Sequence, residues 1–105
     1  PPGDMIVEEE STGRYYRITY RMGHTKKTEK ICYLPVGAQS QDLLKRLKYA
    51  FLHGLTFYHM EDLSFVWSSI PRIERWDLSI INQDWFGAEC NAILASLTVP
   101  EAIYL

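Results

Sequence analysis

The sequence has too few cysteines and histidines for a disulfide framework or a structural zinc site. Its 105 residues include two cysteines, Cys32 and Cys90, and three histidines, His24, His53 and His59, which share no ligand spacing. A structural zinc site needs about four nitrogen or sulfur ligands at close spacing. We therefore predict no metal site, and we expect both cysteines to be buried, reduced thiols of an intracellular protein.

Long apolar runs are also absent, and so is a secretory leader at the start of the sequence. No apolar stretch approaches the ~20 residues that a membrane helix needs. Pro1–Glu10 is acidic, where a signal peptide would be basic and then apolar. These absences predict no membrane partner and a location in the cytoplasm, with the nucleus as a second location. Because Pro1 is not an initiator residue, we interpret the sequence as a fragment or a processed chain.

An excess of positive charge is the third absence. The sequence has 11 lysines and arginines against 13 aspartates and glutamates, a net charge of −2. A nucleic-acid-binding surface needs a basic excess interleaved with aromatic side chains. We therefore predict no nucleic-acid partner and interpret the scattered basic residues as solvated surface charges. These residues are Lys26, Lys27, Lys30, Lys45, Arg46 and Lys48.

What the sequence does contain is enough apolar material for one folded domain. Hydrophobic residues make up 47% of the chain and aromatic residues 13%. These proportions are typical of a globular protein and not of a disordered one. A length of 105 residues suits one hydrophobic core and not two. We therefore assign residues 1–105 to a single domain.

The clearest local pattern is an amphipathic helix in the middle of the chain. Ser40 belongs to a residue type whose hydroxyl caps helices, and Gly54 suits the left-handed position after a helix end. Between them, apolar residues recur at the spacing that places them on one helix face. These residues are Leu43, Leu44, Leu47, Ala50 and Phe51. The pattern predicts a helix over Ser40–His53 with its apolar face in the core.

Alternating apolar and polar residues predict short strands on either side of this helix. In Tyr15–Met22 the even-numbered residues are apolar or aromatic and alternate with more polar ones, as in a strand with one buried face. In the third predicted strand, Ile31 and Tyr33 are expected to point inward. The five predicted strands are Met5–Glu9, Tyr15–Met22, Glu29–Leu34, Leu55–His59 and Ser64–Ser69.

A second helix is predicted near the C-terminal end. It begins near Asn82 or Asp84 and continues to Leu97, because Pro100 disfavours further extension. The connection before it, Arg75–Ile81, is rich in large apolar residues, which either pack over the sheet, as we expect, or present an apolar patch to a partner. The predicted fold class is α+β: a mostly antiparallel sheet of about five strands with two packed helices.

Several segments follow one another in an order that is typical of a known family. A strand ends in YLP, a helix reads LLKRLKYAF, GLTF comes next, and a strand ends in VWSSI. This series resembles the Deltex C-terminal domain, which ends the Deltex-type RING ubiquitin ligases. The matching segments are Gly3–Met5, Cys32–Pro35, Leu43–Phe51, Leu55–Phe57 and Val66–Ile70. The resemblance implies a Deltex C-terminal-like fold, although this chain has no RING finger of its own.

The resemblance also implies a groove for ADP-ribose and NAD, for which the Deltex C-terminal domain is known. The family builds that groove from a Gly/Thr-rich loop, a His-His-Lys run and a His-Gly-Tyr-Pro-Asp segment, followed by a helix with a functional glutamate. The corresponding positions here hold other residues, which are Met60–Asp62, Pro71–Ile73, Ile81–Phe86 and Ile93. We carry over no catalytic residue, because acid–base chemistry needs a histidine or carboxylate within hydrogen-bond reach.

A reduced set of candidate residues remains at the position of the groove. Arg72 could pair with a phosphate through two parallel hydrogen bonds, and Trp67 could flank the ligand. The alternatives are structural: Trp67 in the core of its strand, and Arg72 as a solvated loop residue paired with Glu74. The candidate groove residues are Trp67, Ser68, Ser69, Arg72 and His59.

The sequence therefore predicts a non-catalytic binding module, without a cofactor, that acts in or beside a ubiquitin-ligase assembly. Its expected partner is a protein, with an ADP-ribose-like group as a weak ligand. The alternative is an ADP-ribose- or NAD-using enzyme, or a ubiquitin-ligase domain, with a groove rebuilt around Arg72, His59 and Asp84. A third interpretation is a domain whose resemblance reflects fold alone. Within a longer Deltex-like protein, the chain would be part of an E3 ubiquitin transferase.

Overall fold

The computed structural model describes residues 3–23, 28–59, 65–78, 80 and 82–103, with the backbone alone at 28, 59, 76 and 83. The strands within these ranges are β1 (Gly3–Glu9), β2 (Tyr15–Met22), β3 (Thr28–Pro35), β4 (Phe57–His59) and β5 (Phe65–Trp67). The helices are α1 (Ser40–Leu52) and α2 (Gln83–Ser96), and Arg75–Asp77 forms a 3₁₀ turn. The predictions for His24, Lys26, Lys27 and the loop Met60–Asp62 lie outside the described residues.

The first three strands form an antiparallel sheet in the order β1-β2-β3. In the central strand Ile18, Tyr20 and Met22 are buried as predicted, but the alternation is incomplete because Thr19 between them is buried too. In the flanking strands, Met5 lies opposite Tyr20 and Cys32 lies opposite Ile18. These partners are also buried. Residues paired across strands share a face, so the core face of the sheet continues across all three strands.

The prediction that Ile31 points inward was wrong. Ile31 is 41% exposed, whereas the neighbouring Cys32 is 4% exposed. The register pairs Cys32 with Ile18, and side chains alternate between the two faces of a strand, so Cys32 takes the core face. Tyr33 is buried as predicted, but its strand position places it on the opposite face. Its amide donates to the carbonyl of Ile73 (2.9 Å) in a single bridge beside β3.

The last two strands form a separate antiparallel sheet, in which Phe57 pairs with Trp67. Both rings contact Tyr20, with centroids 6.0 Å and 5.2 Å from the Tyr20 ring. Because Tyr20 lies on the core face of the first sheet, the second sheet packs against that face. The α+β class is therefore confirmed. The expected single sheet is not confirmed, since the described strands divide into three and two.

Helix α1 places its apolar stripe in the core, as predicted. All five stripe residues are buried or partly buried, which are Leu43, Leu44, Leu47, Ala50 and Phe51. The helix ends at Leu52, one residue earlier than predicted. Gly54 then adopts φ +73°, a left-handed conformation that glycine reaches without a steric penalty.

The predicted cap at the start of α1 was wrong. Ser40 is the first helical residue, and Gln39 takes the cap position without a side-chain hydrogen bond. The Ser40 hydroxyl instead donates to the carbonyl of Gly37 (2.8 Å) and accepts from its amide (3.2 Å). Serine hydroxyls compete for nearby backbone groups, and here the hydroxyl closes the turn between β3 and α1.

The interpretation of Arg46 as a solvated charge was also wrong. Arg46 is 5% exposed, whereas Lys45 and Lys48 on the same helix are exposed as predicted. Arg46 lies one helical turn after Leu43, on the side of α1 that faces α2. Burial of a guanidinium is costly unless its N–H groups find acceptors. The position of α2, and not the local sequence, therefore decides the environment of this side chain.

The Arg46 guanidinium finds its acceptors just beyond the end of α2 and on α2 itself. Nε donates to the carbonyl of Pro100 (2.9 Å), and Nη2 donates to the carbonyl of Val99 (3.2 Å). Nη1 donates to the side-chain oxygen of Asn91. A buried carbonyl needs a hydrogen-bond donor. Arg46 supplies one to the carbonyls of Val99 and Pro100 and thereby joins the segment after α2 to α1.

Helix α2 begins near the predicted residue and buries its predicted stripe. Asn82 caps it, since its side-chain oxygen accepts from the amide of Trp85 (2.9 Å). The residues of the stripe are buried or packed against the core, and they are Phe86, Cys90, Ile93, Leu94 and Leu97. The helix ends at Ser96.

The connection before α2 packs against the core only in part. Leu78 packs there, as expected, whereas Ile80 is 75% exposed. The side chain of Trp76 and residues 79 and 81 lie outside the described residues. Packing against the core therefore explains the apolar side chain of Leu78 but not that of Ile80.

We expect Arg46→Met to lower the free energy of unfolding by about 1–3 kcal/mol, because the carbonyl of Val99 would lose its buried donor. The matched control is Lys45→Met on the exposed face of α1, which should stay within about 0.5 kcal/mol of the parent. Urea denaturation followed by circular dichroism measures both. Equal stability of the two variants would contradict a joining role for Arg46.

Candidate functional site

Trp67 ends β5 and contributes to the core more than to an open groove. Its ring meets Tyr20 and Phe57 edge to face, with centroid distances of 5.2 Å to each. Its Nε1 donates to the carbonyl of Ile70 (2.7 Å). Buried aromatic rings favour such edge-to-face contacts, and an indole N–H needs an acceptor when it leaves water. Trp67 therefore packs against the core, with part of its side chain exposed.

Arg72 already has partners within the chain. Its Cζ lies 5.2 Å from the centroid of the Trp67 ring, a cation–π distance. Its Nε lies 3.5 Å from Oε1 of Glu74. The pairing with Glu74, one of the two alternatives for this arginine, is therefore confirmed. Arg72 is partly buried and not a fully solvated loop residue.

Glu74 is itself held in place by the 3₁₀ turn that follows it. Its side chain accepts from the amide of Asp77, and the Asp77 carboxylate accepts from the amide of Glu74 (3.1 Å). This reciprocal pair is a capping box. The capping box holds the Glu74 carboxylate in place, beside the guanidinium of Arg72 with which it forms the ion pair.

The remaining candidate residues meet near Trp67 only in part. Ser68 continues the β4–β5 pairing, since its amide donates to the carbonyl of Thr56 (2.9 Å). Its hydroxyl accepts from the amide of Ile70 (3.5 Å), and Ser69 is exposed. His59 ends β4 opposite Phe65, and its side chain lies outside the described residues. The structure therefore brings Trp67 and Arg72 together, while the polar groups of Ser68 bond to the backbone of Thr56 and Ile70.

The two thiols are buried, free and weakly acidic. Cys32 is 4% exposed and Cys90 is 0% exposed, and neither forms a disulfide, as predicted. Burial raises the pKa of each thiol to about 12. The thiolate is the reactive form of cysteine, so neither residue is suited to act as a nucleophile near neutral pH.

A larger site, which sequence reasoning missed, lies between the first turns of the two helices. It is a cleft of about 610 Å³, lined by residues of β3, α1 and α2 together with Glu101. Its lining includes neither Trp67 nor Arg72. The available signal was the unusual pair Gly87-Ala88 within an otherwise regular helix pattern, but only the packing of α1 against α2 turns these small residues into a cleft.

Asp84, which the enzyme alternative grouped with Arg72 and His59, lines this cleft on α2. The other lining residues come from the end of β3, the turn before α1, α1 and α2, together with Glu101. Asp84 and Arg72 therefore belong to different features of the molecule: a cleft between helices and an ion pair beside Trp67.

Metal coordination and membrane insertion find no support in the part of the chain that the structure describes. Within it, no group of three or more histidine, cysteine, aspartate or glutamate side chains is placed to hold a metal ion. Its helices lack the length and apolar character needed to cross a bilayer.

Neither the protein-family models nor the curated proteins that were compared match this chain. The resemblance to the Deltex C-terminal domain therefore stays a prediction from the ordered sequence segments.

We expect both thiols to resist a disulfide reagent such as DTNB in the folded protein and to react on unfolding.

The raised pKa also makes stability depend on pH in the alkaline range. An unfolded thiol titrates near pH 9, while the folded thiol keeps its proton until about pH 12. This contribution is therefore complete below about pH 9 and is lost as the pH rises towards 12.

Urea unfolding between pH 8 and 11 measures this slope, with Cys32→Ala as the comparison. Removal of one buried thiol should flatten the alkaline loss of stability. Rapid labelling of the native protein at neutral pH would contradict the burial of both thiols.

Proposed function

We propose that this chain is a non-catalytic binding module similar to the Deltex C-terminal domain. It acts in or beside a ubiquitin-ligase assembly, recognises a protein, and binds an ADP-ribose-like group weakly. The ordered segments Cys32–Pro35, Leu43–Phe51 and Val66–Ile70 support the relationship. The α+β architecture is compatible with it.

The observation that carries the proposal is the internal pairing of Arg72. A bound pyrophosphate would have to compete with Glu74 for the guanidinium, and a bound base would have to displace Arg72 from the Trp67 ring. An exposed ion pair and a cation–π contact contribute about 0.5–1 kcal/mol each. The competition for Arg72 lowers the affinity for ADP-ribose, and so does the absence of the family's histidines. ADP-ribose is therefore a weak ligand at most.

The alternative, an enzyme with a rebuilt groove, requires convergence of its groups on one substrate. General acid–base catalysis needs the acid or base within hydrogen-bond reach of the reacting proton. Arg72 lies beside Trp67, while Asp84 lines the cleft between α1 and α2. This separation favours the binding module over a site that uses Arg72 and Asp84 together.

The cytoplasm, with the nucleus as a second location, is the compartment that we propose. Free, buried thiols are typical of reducing compartments. A protein partner in a ubiquitin-ligase assembly would be met in the same compartments.

We expect the chain to leave ubiquitin unmodified when it is incubated with NAD, ubiquitin, an E1 and an E2. The position of the family's functional glutamate holds Ile93 here, which has no proton-transfer group. Intact-mass spectrometry of ubiquitin measures the outcome. A mass increase of one ADP-ribose that is absent from a heat-denatured control would establish the enzyme alternative.

We expect ADP-ribose to bind at millimolar or weaker affinity, in an NMR titration of the ¹⁵N-labelled chain. Arg72→Ala should abolish any shifts near Trp67, whereas Arg14→Ala in an exposed turn should not. Glu74→Gln should strengthen binding about two- to fivefold, because it removes the charge that competes for Arg72. Micromolar binding, or binding that survives Arg72→Ala, would place the ligand elsewhere.

A further inference from the structure

The cleft between α1 and α2 is formed by one regular face of each helix. At α1, the face runs from the cap residue Gln39 through Asp42 and Leu43 to Arg46. On α2, the face includes Asp84, Gly87, Ala88 and Asn91. Both sets follow the spacing i, i+3, i+4, i+7, which places residues on one side of a helix. The two faces meet at the hydrogen bond from Arg46 to Asn91.

Small residues on α2 leave the cleft open. A Cβ atom added at Gly87 would meet no atom within 4 Å beyond its own neighbourhood. A glycine inside a helix costs about 0.5–1 kcal/mol relative to alanine. Neither close packing nor a left-handed backbone requires glycine at this position. Gly87 therefore maintains open space at a cost to the stability of α2.

The floor of the cleft is apolar and firmly held. Leu34, Leu43 and Phe86 line it, and all three belong to the hydrophobic core. Arg46 also lines the cleft, and its guanidinium is bonded to the carbonyls of Val99 and Pro100. A volume of about 610 Å³ lies within the range of about 300–1,000 Å³ that is usual for binding sites.

The rim of the cleft is acidic. Asp42, Asp84 and Glu101 line it and are exposed, and none of the ion pairs among the described residues involves them. The helix dipole stabilises a carboxylate in a first turn, which accounts for Asp42 and Asp84 but not for Glu101. Each dipole offsets only about half a charge, so the rim favours a cationic ligand.

We infer that this cleft binds a short segment of a partner protein that carries a large apolar side chain beside a lysine or arginine. The apolar side chain fills the space over Leu43 and Phe86, and the cation lies against the carboxylates of the rim. A basic segment complements the rim, whereas an acidic one is repelled by it. The inference rests on the proposed binding function in taking a protein as the partner, but it uses neither Trp67 nor Arg72.

Selection from a phage-displayed library of random dodecapeptides tests the inference with the chain as the bait. We expect the enriched peptides to combine a leucine, phenylalanine or methionine with a nearby lysine or arginine. Synthetic fluorescein-labelled copies then give affinities by fluorescence anisotropy. No enrichment over empty beads, or enrichment of acidic or uncharged peptides, would overturn the inference.

Two sets of variants assign the binding to the cleft. Gly87→Phe fills the open space and should weaken peptide binding at least about tenfold, without lowering the melting temperature, because phenylalanine is the better helix former. Ser96→Phe adds the same bulk to an exposed position of α2 outside the cleft and should bind like the parent. Equal affinity of these two variants would overturn the inference.

Substitutions of the acidic rim residues test whether the ligand is cationic. Asp42→Asn, Asp84→Asn and Glu101→Gln should each weaken binding about two- to fivefold, and added salt should weaken binding by the parent but less by the triple variant. Affinity that is independent of salt and of these substitutions would overturn the role of the rim.

The outcome is separable from that of the proposed function. Modification of ubiquitin would remove the non-catalytic interpretation while leaving the peptide result intact. Failure of the peptide selection, with ubiquitin unmodified, would remove only the assignment of the cleft.

Discussion

The packing of Tyr20 is the contact on which the arrangement of the other elements depends. Tyr20 comes from the central strand of the first sheet and is 1% exposed. Its ring contacts Phe51 of α1 at 5.5 Å, Phe57 of β4 at 6.0 Å and Trp67 of β5 at 5.2 Å. One side chain therefore joins the first sheet, the central helix and the second sheet. Aromatic contacts of this kind add to the free energy of burial, which explains why a two-stranded sheet of three-residue strands persists here.

Arg46 supplies the second constraint, because it determines how α2 and the segment that follows it pack against α1. A guanidinium presents its N–H groups in a fixed plane, so its acceptors on Asn91, Val99 and Pro100 must take matching positions. The two helices are thereby joined through residues near the middle of each. The cleft is a direct consequence of this joint together with the small side chain of Ala88 and the absence of one at Gly87.

The two candidate sites differ in a way that bears on function. Around Trp67, the chain's own residues already use the groups that a ligand would need, since Arg72 contacts both the Trp67 ring and Glu74. Between α1 and α2, the space is open and the carboxylates of Asp42 and Asp84 face solvent. The groups around Trp67 are thus paired within the chain, whereas the carboxylates beside the cleft form no ion pair among the described residues.

The sequence by itself determined the features that depend on neighbours along the chain. The apolar stripe of α1, the apolar core side of β2, the left-handed Gly54 and the buried thiol of Cys90 follow from local spacing and residue type. Only the tertiary structure decided that Arg46 is buried, that Cys32 and not Ile31 takes the core face, and that Gly87 lines a cleft. These three depend on strand register and on the docking of α2, which are set by contacts between residues far apart in the sequence. Local periodicity shows which residues share a face of a helix or strand. It does not show which face a distant element will cover, because that depends on register and docking.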